Sequence, residues 1–242
     1  GNPSLKPSYT NSFMLFYNTF LPEKQQSMMA RLTFSNTINS VSNTVTYDEE
    51  TGARITQPKN INGNWSASGG FVFNTPLKNK KFTVSTFSDG SYNNMVGFTS
   101  LSGQTDSQKN TTRSLNLSER LNGTFRNDWF EFGLNGGIRY NVSKSTLQPQ
   151  SDKETFDYSF GASSNVTLPW DVTVSTDASY SMKRGYSEGL DRNELIWNAQ
   201  IAKNFLKKKQ ATISLQIYDI LKEQSNLSRS ISASMRQDTE YN

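Results

Sequence analysis

Period-two alternation of apolar and polar side chains runs almost unbroken from Asn11 to about Leu221, and helical periodicity is scarcely visible. From Trp129 to Val142, one face carries Phe130, Phe132, Leu134, Gly136, Ile138, Tyr140 and Val142. The other carries Glu131, Gly133, Asn135, Gly137, Arg139 and Asn141. Residues 156–168 and 170–182 repeat the pattern. Such alternation belongs to a pleated strand whose two faces meet unlike surroundings.

By this criterion the sequence predicts about ten strands, near 9–20, 28–43, 60–75, 81–98, 110–126, 129–143, 155–168, 170–184, 193–206 and 210–221. The fourth is the weakest, because Thr86, Ser88 and Asn94 interrupt its apolar face. Short links at 22–27, 76–80, 126–129, 168–171 and 206–210 alternate with long polar ones at 44–60, 99–110, 144–154 and 185–192. A further long segment begins at Lys222. Turns therefore collect at one end of the sheet and loops at the other, as in outer-membrane barrels.

Composition decides what the two faces meet. Only 33% of residues are hydrophobic, yet aromatics reach 12%. Disorder depletes both classes together, so the chain is polar but folded. Many strands exceed the five or six residues usual in soluble sheets and suit a tilted membrane crossing of about 9–11 residues. Phe20, Phe73, Phe82, Phe125, Trp129, Phe130, Trp170 and Phe205 gather near the short turns. Trp65, Tyr92, Phe98, Tyr140, Phe156, Tyr158, Tyr180 and Trp197 lie toward the long loops. Two such belts match the aromatic girdles of the two lipid interfaces. The expected fold is all-β, an antiparallel transmembrane β-barrel segment forming a single partial domain over residues 1–242. A soluble secreted β-sandwich, with the aromatics filling a core, is the alternative that alternation alone leaves open.

Strict alternation turns Arg31, Arg120, Glu131, Arg139, Asp157, Asp171 and Asp177 toward the wet face. There they either contact a passing solute or simply hydrate and pair across the wall. Arg113, Glu119 and Lys203 fall on the apolar face. The two cations, Arg113 and Lys203, lie near strand ends, whereas Glu119 is mid-strand, and a local bulge is expected to return it to the wet side.

Catalytic chemistry has little to work with. The chain has no His and no Cys, which excludes Ser-His-Asp and Cys-His centres and ordinary zinc sites. No phosphate loop or nucleophile elbow occurs. The Asp48-Glu49-Glu50 cluster and the pair Asp191 and Glu194 lack EF-hand spacing. Neither enzyme activity, nor a cofactor, nor a metal site is expected. Net charge is +4, but basic residues are scattered apart from Lys207-Lys208-Lys209, so no nucleic-acid partner is expected. Without a signal peptide, Gly1 reads as a cut point and Asn242 as an arbitrary stop.

Gly1-Asn2-Pro3-Ser4-Leu5-Lys6-Pro7 followed by Phe13-Met14-Leu15-Phe16-Tyr17 resembles a segment of Bacteroidota outer-membrane receptors, in which such a loop leads into a descending barrel strand. Ile213-Ser214-Leu215-Gln216-Ile217-Tyr218-Asp219-Ile220-Leu221, then Asn226-Leu227-Ser228-Arg229, resembles the same family's penultimate strand and last loop. The resemblance implies a TonB-dependent receptor with a plugged barrel of about 22 strands, of which this chain covers roughly strands 12 to 21. It implies placement in the outer membrane of a Gram-negative bacterium, among lipid, the rest of the barrel, and a plug through which TonB acts. A structural or assembly barrel that anchors surface lipoproteins is the alternative function. The plug, the signal peptide and the final strand are expected to lie outside this sequence, and neither ligand nor oligomeric state is readable from it.

Overall fold

The computed structural model describes residues 2–47, 53–77, 80–100, 106–186, 191–205, 211–224, 226–231 and 236–241. The principal strands are β1 (Tyr9–Leu21), β2 (Gln26–Ile38), β5 (Asn64–Pro76), β6 (Phe82–Thr99), β7 (Gln108–Arg126), β8 (Phe130–Ser145), β9 (Lys153–Leu168), β10 (Val172–Arg184), β11 (Arg192–Phe205) and β12 (Ala211–Ile217). They form one 10-stranded antiparallel sheet in the order β1-β2-β5-β6-β7-β8-β9-β10-β11-β12. Each pairs with its neighbour in this succession, the meander expected of an up-and-down wall.

Short turns close one end through local polar geometry. Asn127 Oδ1 accepts the backbone N–H groups of Trp129 at 3.1 Å and Phe130 at 2.8 Å, which folds the chain back between β7 and β8. Between β9 and β10, Trp170 and Asp171 both have positive φ (66° and 58°) inside the short 3₁₀ turn Pro169–Asp171. Asp171 is thus part of this turn and does not stand on the strand wall, where alternation alone had placed it. The expected turn at 206–210, with Lys207-Lys208-Lys209, lies outside the described residues, as does Asp48-Glu49-Glu50.

The long-link end is more ordered than the sequence suggests. Residues expected to form a loop at 44–60 contribute to a hairpin, β3 (Ser40–Tyr47) with β4 (Arg54–Ile61), which prolongs β2 and β5 beyond the main sheet. Positive φ at Asn39 (54°) and Gly63 (115°) separates this hairpin from the wall below. Asn60 fastens it, donating through Nδ2 to the carbonyls of Lys6 (2.9 Å) and Asn39 (2.8 Å). A bridge from Thr46 to Asp106 ties it to the segment between β6 and β7. The expected final strand stops early, at Ile217. Asp219 turns the chain with φ 45° and accepts the N–H groups of Glu223 (3.0 Å) and Gln224 (3.1 Å) on its carboxylate. The segment beyond pairs with itself, as β13 (Asn226–Ile231) and β14 (Arg236–Tyr241).

Register fixes two faces, because residues directly opposite one another point the same way. Leu134 faces Gly123 and Ala162, and Tyr140 faces Leu117 and Phe156, on the apolar face. Asn135 faces Asn122 and Gly161 on the polar one. No second layer covers the apolar face among the described residues. Among the described residues the buried apolar side chains are Ile61 and Val96, both at the long-link end, while Leu134 is 54% exposed and Ile213 67%. A soluble two-layer sandwich would bury these side chains at about 1.5–3 kcal/mol each; here the sheet is a single layer. The sandwich alternative is therefore excluded.

Candidate functional site

Aromatic rings mark out two belts on the apolar face. Near the short turns, Phe82 packs on Phe125 (centroids 4.8 Å apart), and Phe125 on Phe130 (6.3 Å), with Trp129 beside Phe130 (5.8 Å). Phe73 and Phe205 occupy the same face near that end, and Trp170 is 82% exposed at its turn. Toward the long links, Trp65 contacts Phe34 (6.1 Å) and Tyr92 (5.1 Å), and Phe156 contacts Tyr140 (4.8 Å) and Tyr158 (6.2 Å). Phe98 lies at the far end of β6, with the Lys59 ammonium 5.7 Å from its ring. Tyr180 and Trp197 share the apolar face, and the Trp197 indole N–H donates to Thr176 Oγ1 at 2.8 Å. Phe20 is the exception: it stands opposite Ser27 on the polar face. Strict alternation, with Leu21 and Thr19 on the apolar side, takes it out of the belt.

The separation of the belts has a definite magnitude. From Phe130 to Tyr140 is ten steps along β8; at about 3.4 Å per residue and a tilt near 40°, the height is about 26 Å. An outward apolar band in outer-membrane barrels is about 25 Å tall.

Glu119 sits within this band. It faces Ser88 on β6 and Ile138 on β8, and the ladders on both sides of it are continuous. The expected bulge is absent, and Glu119 remains on the apolar face. Its carboxyl group is instead satisfied in place by a hydrogen bond from Thr86 Oγ1. Removal of that donor by Thr86→Val should cost about 1–3 kcal/mol, the penalty of an unsatisfied buried polar group. Glu119→Leu should stabilise the protein and abolish the cost of Thr86→Val, in a double-mutant cycle of urea unfolding in lipid vesicles. Additive effects would contradict the coupling.

The polar face holds the candidate site, a charged belt running across the wall. Arg31 faces Gly70, Gly70 faces Asp89, and Asp89 faces Ser118. Ser118 in turn faces Arg139, Arg139 faces Asp157, and Asp157 faces Lys183. At about 4.8 Å per strand, this row covers about 29 Å of arc from β2 to β10. Arg120 lies one row nearer the short turns, opposite Phe87 and Gly137. A cavity of about 570 Å³ opens over the belt, lined by residues from β1 through β10.

The acids of this belt are engaged. Asp89 accepts from Ser118 Oγ (2.8 Å), and Asp157 accepts from the Tyr186 hydroxyl on both oxygens (2.8 and 3.1 Å). Lys183 pairs with the buried Glu194 at 3.7 Å. Arg31, Arg120 and Arg139 are exposed to the cavity and have neither hydrogen bond nor ion pair among the described residues. Glycines leave them room: a Cβ built at Gly70 would meet only the Ser88 carbonyl oxygen, at 3.9 Å.

Of the seven residues that alternation turned toward the wet face, Arg31, Arg120, Arg139 and Asp157 meet around this cavity. Glu131 and Asp177 lie nearer the short turns, Glu131 in an ion pair with Arg126 and Asp177 accepting from Asn198 Nδ2 at 2.8 Å. Asp171 is in its turn. Sequence reasoning passed over Asp89 and Lys183, although the alternation of β6 and β10 carried both, and it weighed Glu194 only as a partner of Asp191. Glu194 pairs with Lys183, and Asp191 accepts the Tyr186 N–H at 2.8 Å. No group of three or more potential metal ligands occurs among the described residues.

Comparison with curated proteins finds no match. The family model for the outer membrane protein beta-barrel family matches residues 1–129 and 104–242, which together span the sequence. Its description agrees with a single-layer sheet of ten strands, apolar and belted with aromatics on one face, polar and charged on the other. The chain belongs to the outer membrane protein β-barrel family.

Proposed function

We propose that this chain forms barrel wall of a TonB-dependent receptor that imports a solute across the outer membrane of a Bacteroidota bacterium. The observation that carries the reading is the charged cavity on the lumenal face, beneath an ordered hairpin at the long-link end. A purely structural wall needs a wet lumen but no gathering of arginines from β2, β7 and β8 around one cavity. The N-terminal Gly-Asn-Pro segment and the Ile213–Leu221 stretch support the same family of receptors by resemblance.

In this reading the long links, with β3 and β4, capture the solute outside, and the barrel selects and passes it without making or breaking bonds. Because lipid cannot hydrogen-bond an open sheet edge, strands beyond these ten close the wall next to β1 and β12. Transport energy reaches the barrel through a plug that contacts TonB. Lipid is the partner of the outer face, and nucleic acid has no part in the scheme. A second reading, a barrel that seats surface lipoproteins, draws on the β3–β4 hairpin and its bridge to Asp106, which present a fixed polar surface above the wall.

Growth on single carbon and metal sources, compared between the parent strain and strains lacking either this gene or TonB, tests the proposal. Energised import predicts the same source-specific defect in both mutants. A defect confined to the display of surface lipoproteins, with every uptake rate unchanged, would favour the second reading and overturn the first.

A further inference from the structure

We propose that the outward face seats one phosphate-bearing lipid of the outer leaflet. Its phosphate rests on Arg113 with Lys144 beside it, and an acyl chain lies in the groove below. The proposal goes beyond solute import and holds whatever the barrel passes. Arg113 on β7 and Lys144 on β8 stand directly opposite each other, and the next outward pair toward the membrane band is Leu115 with Val142. Through Asn94, Arg113 shares its row with Trp65 of the aromatic belt near the long links. The long links mark the external side, so this row meets the headgroups of the outer leaflet.

Like charges directly opposite one another repel, with Cβ atoms about 4.5–5.5 Å apart. The acids near the pair lie on the β9 side and are bonded elsewhere. Glu154, opposite Val142 and diagonal to Lys144, is hydrogen-bonded by the Tyr140 hydroxyl. Asp152 accepts the backbone N–H of Ser145 at 2.7 Å. Neither forms an ion pair with Lys144 among the described residues. Glu119, six residues farther down β7, is held by Thr86. Arg113 has no acid on its other side, where Asn94 stands on β6. Lys109 follows four residues above it, opposite Phe98, whose ring lies 5.7 Å from the Lys59 ammonium. A lipid phosphate supplies the missing anion, and a planar guanidinium presents paired donors to two of its oxygens.

Below Arg113 the same face holds an apolar groove of about 480 Å³. Its floor is Ala67, Gly69 and Gly90, its sides are Leu32 and Leu117, and its upper end is Leu115. Gly69 and Gly90 face each other across β5 and β6. A Cβ at either would meet the tip of Leu32 (3.0 Å) or of Leu117 (3.1 Å), so a larger residue would push these sides into the groove. Leu115 joins the two halves: it ends the groove and stands two residues from Arg113 on the same face. Charge at headgroup level above an apolar channel matches one anionic lipid molecule, phosphate up and chain down.

The test titrates the full-length protein, stripped of lipid in mild detergent, with monophosphoryl lipid A. Phosphatidylcholine, whose phosphate carries its own counter-cation, and inorganic phosphate are the controls. Native mass spectrometry counts the lipids retained per protein. The wild type should retain lipid A saturably and about tenfold or more tightly than phosphatidylcholine. Arg113→Gln/Lys144→Gln should weaken lipid A about tenfold or more and leave phosphatidylcholine unchanged. Ala67→Phe, which fills the groove but keeps both charges, should also weaken lipid A. Lys203→Gln, on the outward face near the short turns, should leave retention as it was, and inorganic phosphate at equal concentration should displace no lipid. Heat-modifiable mobility on gels establishes that each variant is folded. Wild-type retention of lipid A by the folded glutamine variant or by Ala67→Phe overturns the proposal. So does the absence of preference over phosphatidylcholine, or displacement by inorganic phosphate.

Discussion

The Leu134→Arg substitution is expected to cost the folded protein about 2–4 kcal/mol in a bilayer, the penalty of a cation at mid-membrane depth on the outward face of a barrel. Leu134 is four residues above Phe130 and six below Tyr140, between the two aromatic belts, and its side chain is 54% exposed. Gly123 and Ala162 stand opposite, so nothing polar on the neighbouring strands is placed to receive the guanidinium. Asn122→Arg, on the adjoining strand but on the lumenal face, should cost less than about 0.5 kcal/mol, the usual range of a solvated surface change. Urea titrations of both variants in lipid vesicles measure the contrast. A soluble protein would show no such asymmetry, because its outward leucine would already be in water.

Gly185→Ala should be nearly as damaging, for a different reason. Gly185 has φ 77°, where an alanine costs about 1–2 kcal/mol, and its added Cβ would stand 2.0 Å from the Glu154 carbonyl oxygen. The obstacle is backbone, not the far end of a flexible side chain. The chain must therefore move at the end of β10, and the combined cost should reach about 2–4 kcal/mol. Displacement there also pulls on Tyr186, the next residue, whose hydroxyl holds Asp157. The variant should accordingly show faster hydrogen exchange at the β9–β10 ends while the short-turn end keeps its protection. Uniform protection along both strands would contradict this account of Gly185.

How much of this was legible in the residues depended on whether alternation was visible. β8 could be read directly, because seven apolar residues oppose six small or polar ones from Phe130 to Val142. The hairpin over 40–61 was harder. It rises above the apolar band, and its apolar residues stand opposite polar ones (Val41 opposite Asn60, Val45 opposite Thr56, Ile55 opposite Thr46), so neither face shows the contrast of the wall below. The end of β12 was misplaced for a local reason: Leu221 keeps the phase of Ile213, Leu215 and Ile217, but Asp219 turns the chain two residues beyond Ile217. For Glu119 the sequence posed the conflict between alternation and burial, yet its resolution lay on another strand, at Thr86.

The charged belt shows the same limit more sharply. Arg31, Arg139 and Asp157 were each assigned to the wet face by local periodicity. That they share one level with Asp89 and Lys183 depends on the length of every turn between β2 and β10, because a shift of a single residue exchanges the faces. Periodicity fixes the direction of a side chain; only the register fixes its neighbours. Phe20 shows how a nominally simple reading fails near a turn, where proximity to the belt in sequence does not put a ring on the correct face.

This sequence has no cysteine, so once any cysteine elsewhere in the full-length protein is replaced, a label reports a single position of the wall. Single cysteines placed in turn from Phe130 to Val142 in the full-length protein, spin-labelled and reconstituted into lipid vesicles, report collisions with dissolved oxygen and with a water-soluble nickel chelate. Labels at Phe132, Leu134, Gly136 and Ile138 should be reached by oxygen and shielded from nickel, and those at Gly133, Asn135, Gly137 and Arg139 should show the reverse. A profile without period two, or one in which the first set is shielded from both reagents, would mean that the apolar face packs against protein and that this wall does not meet lipid.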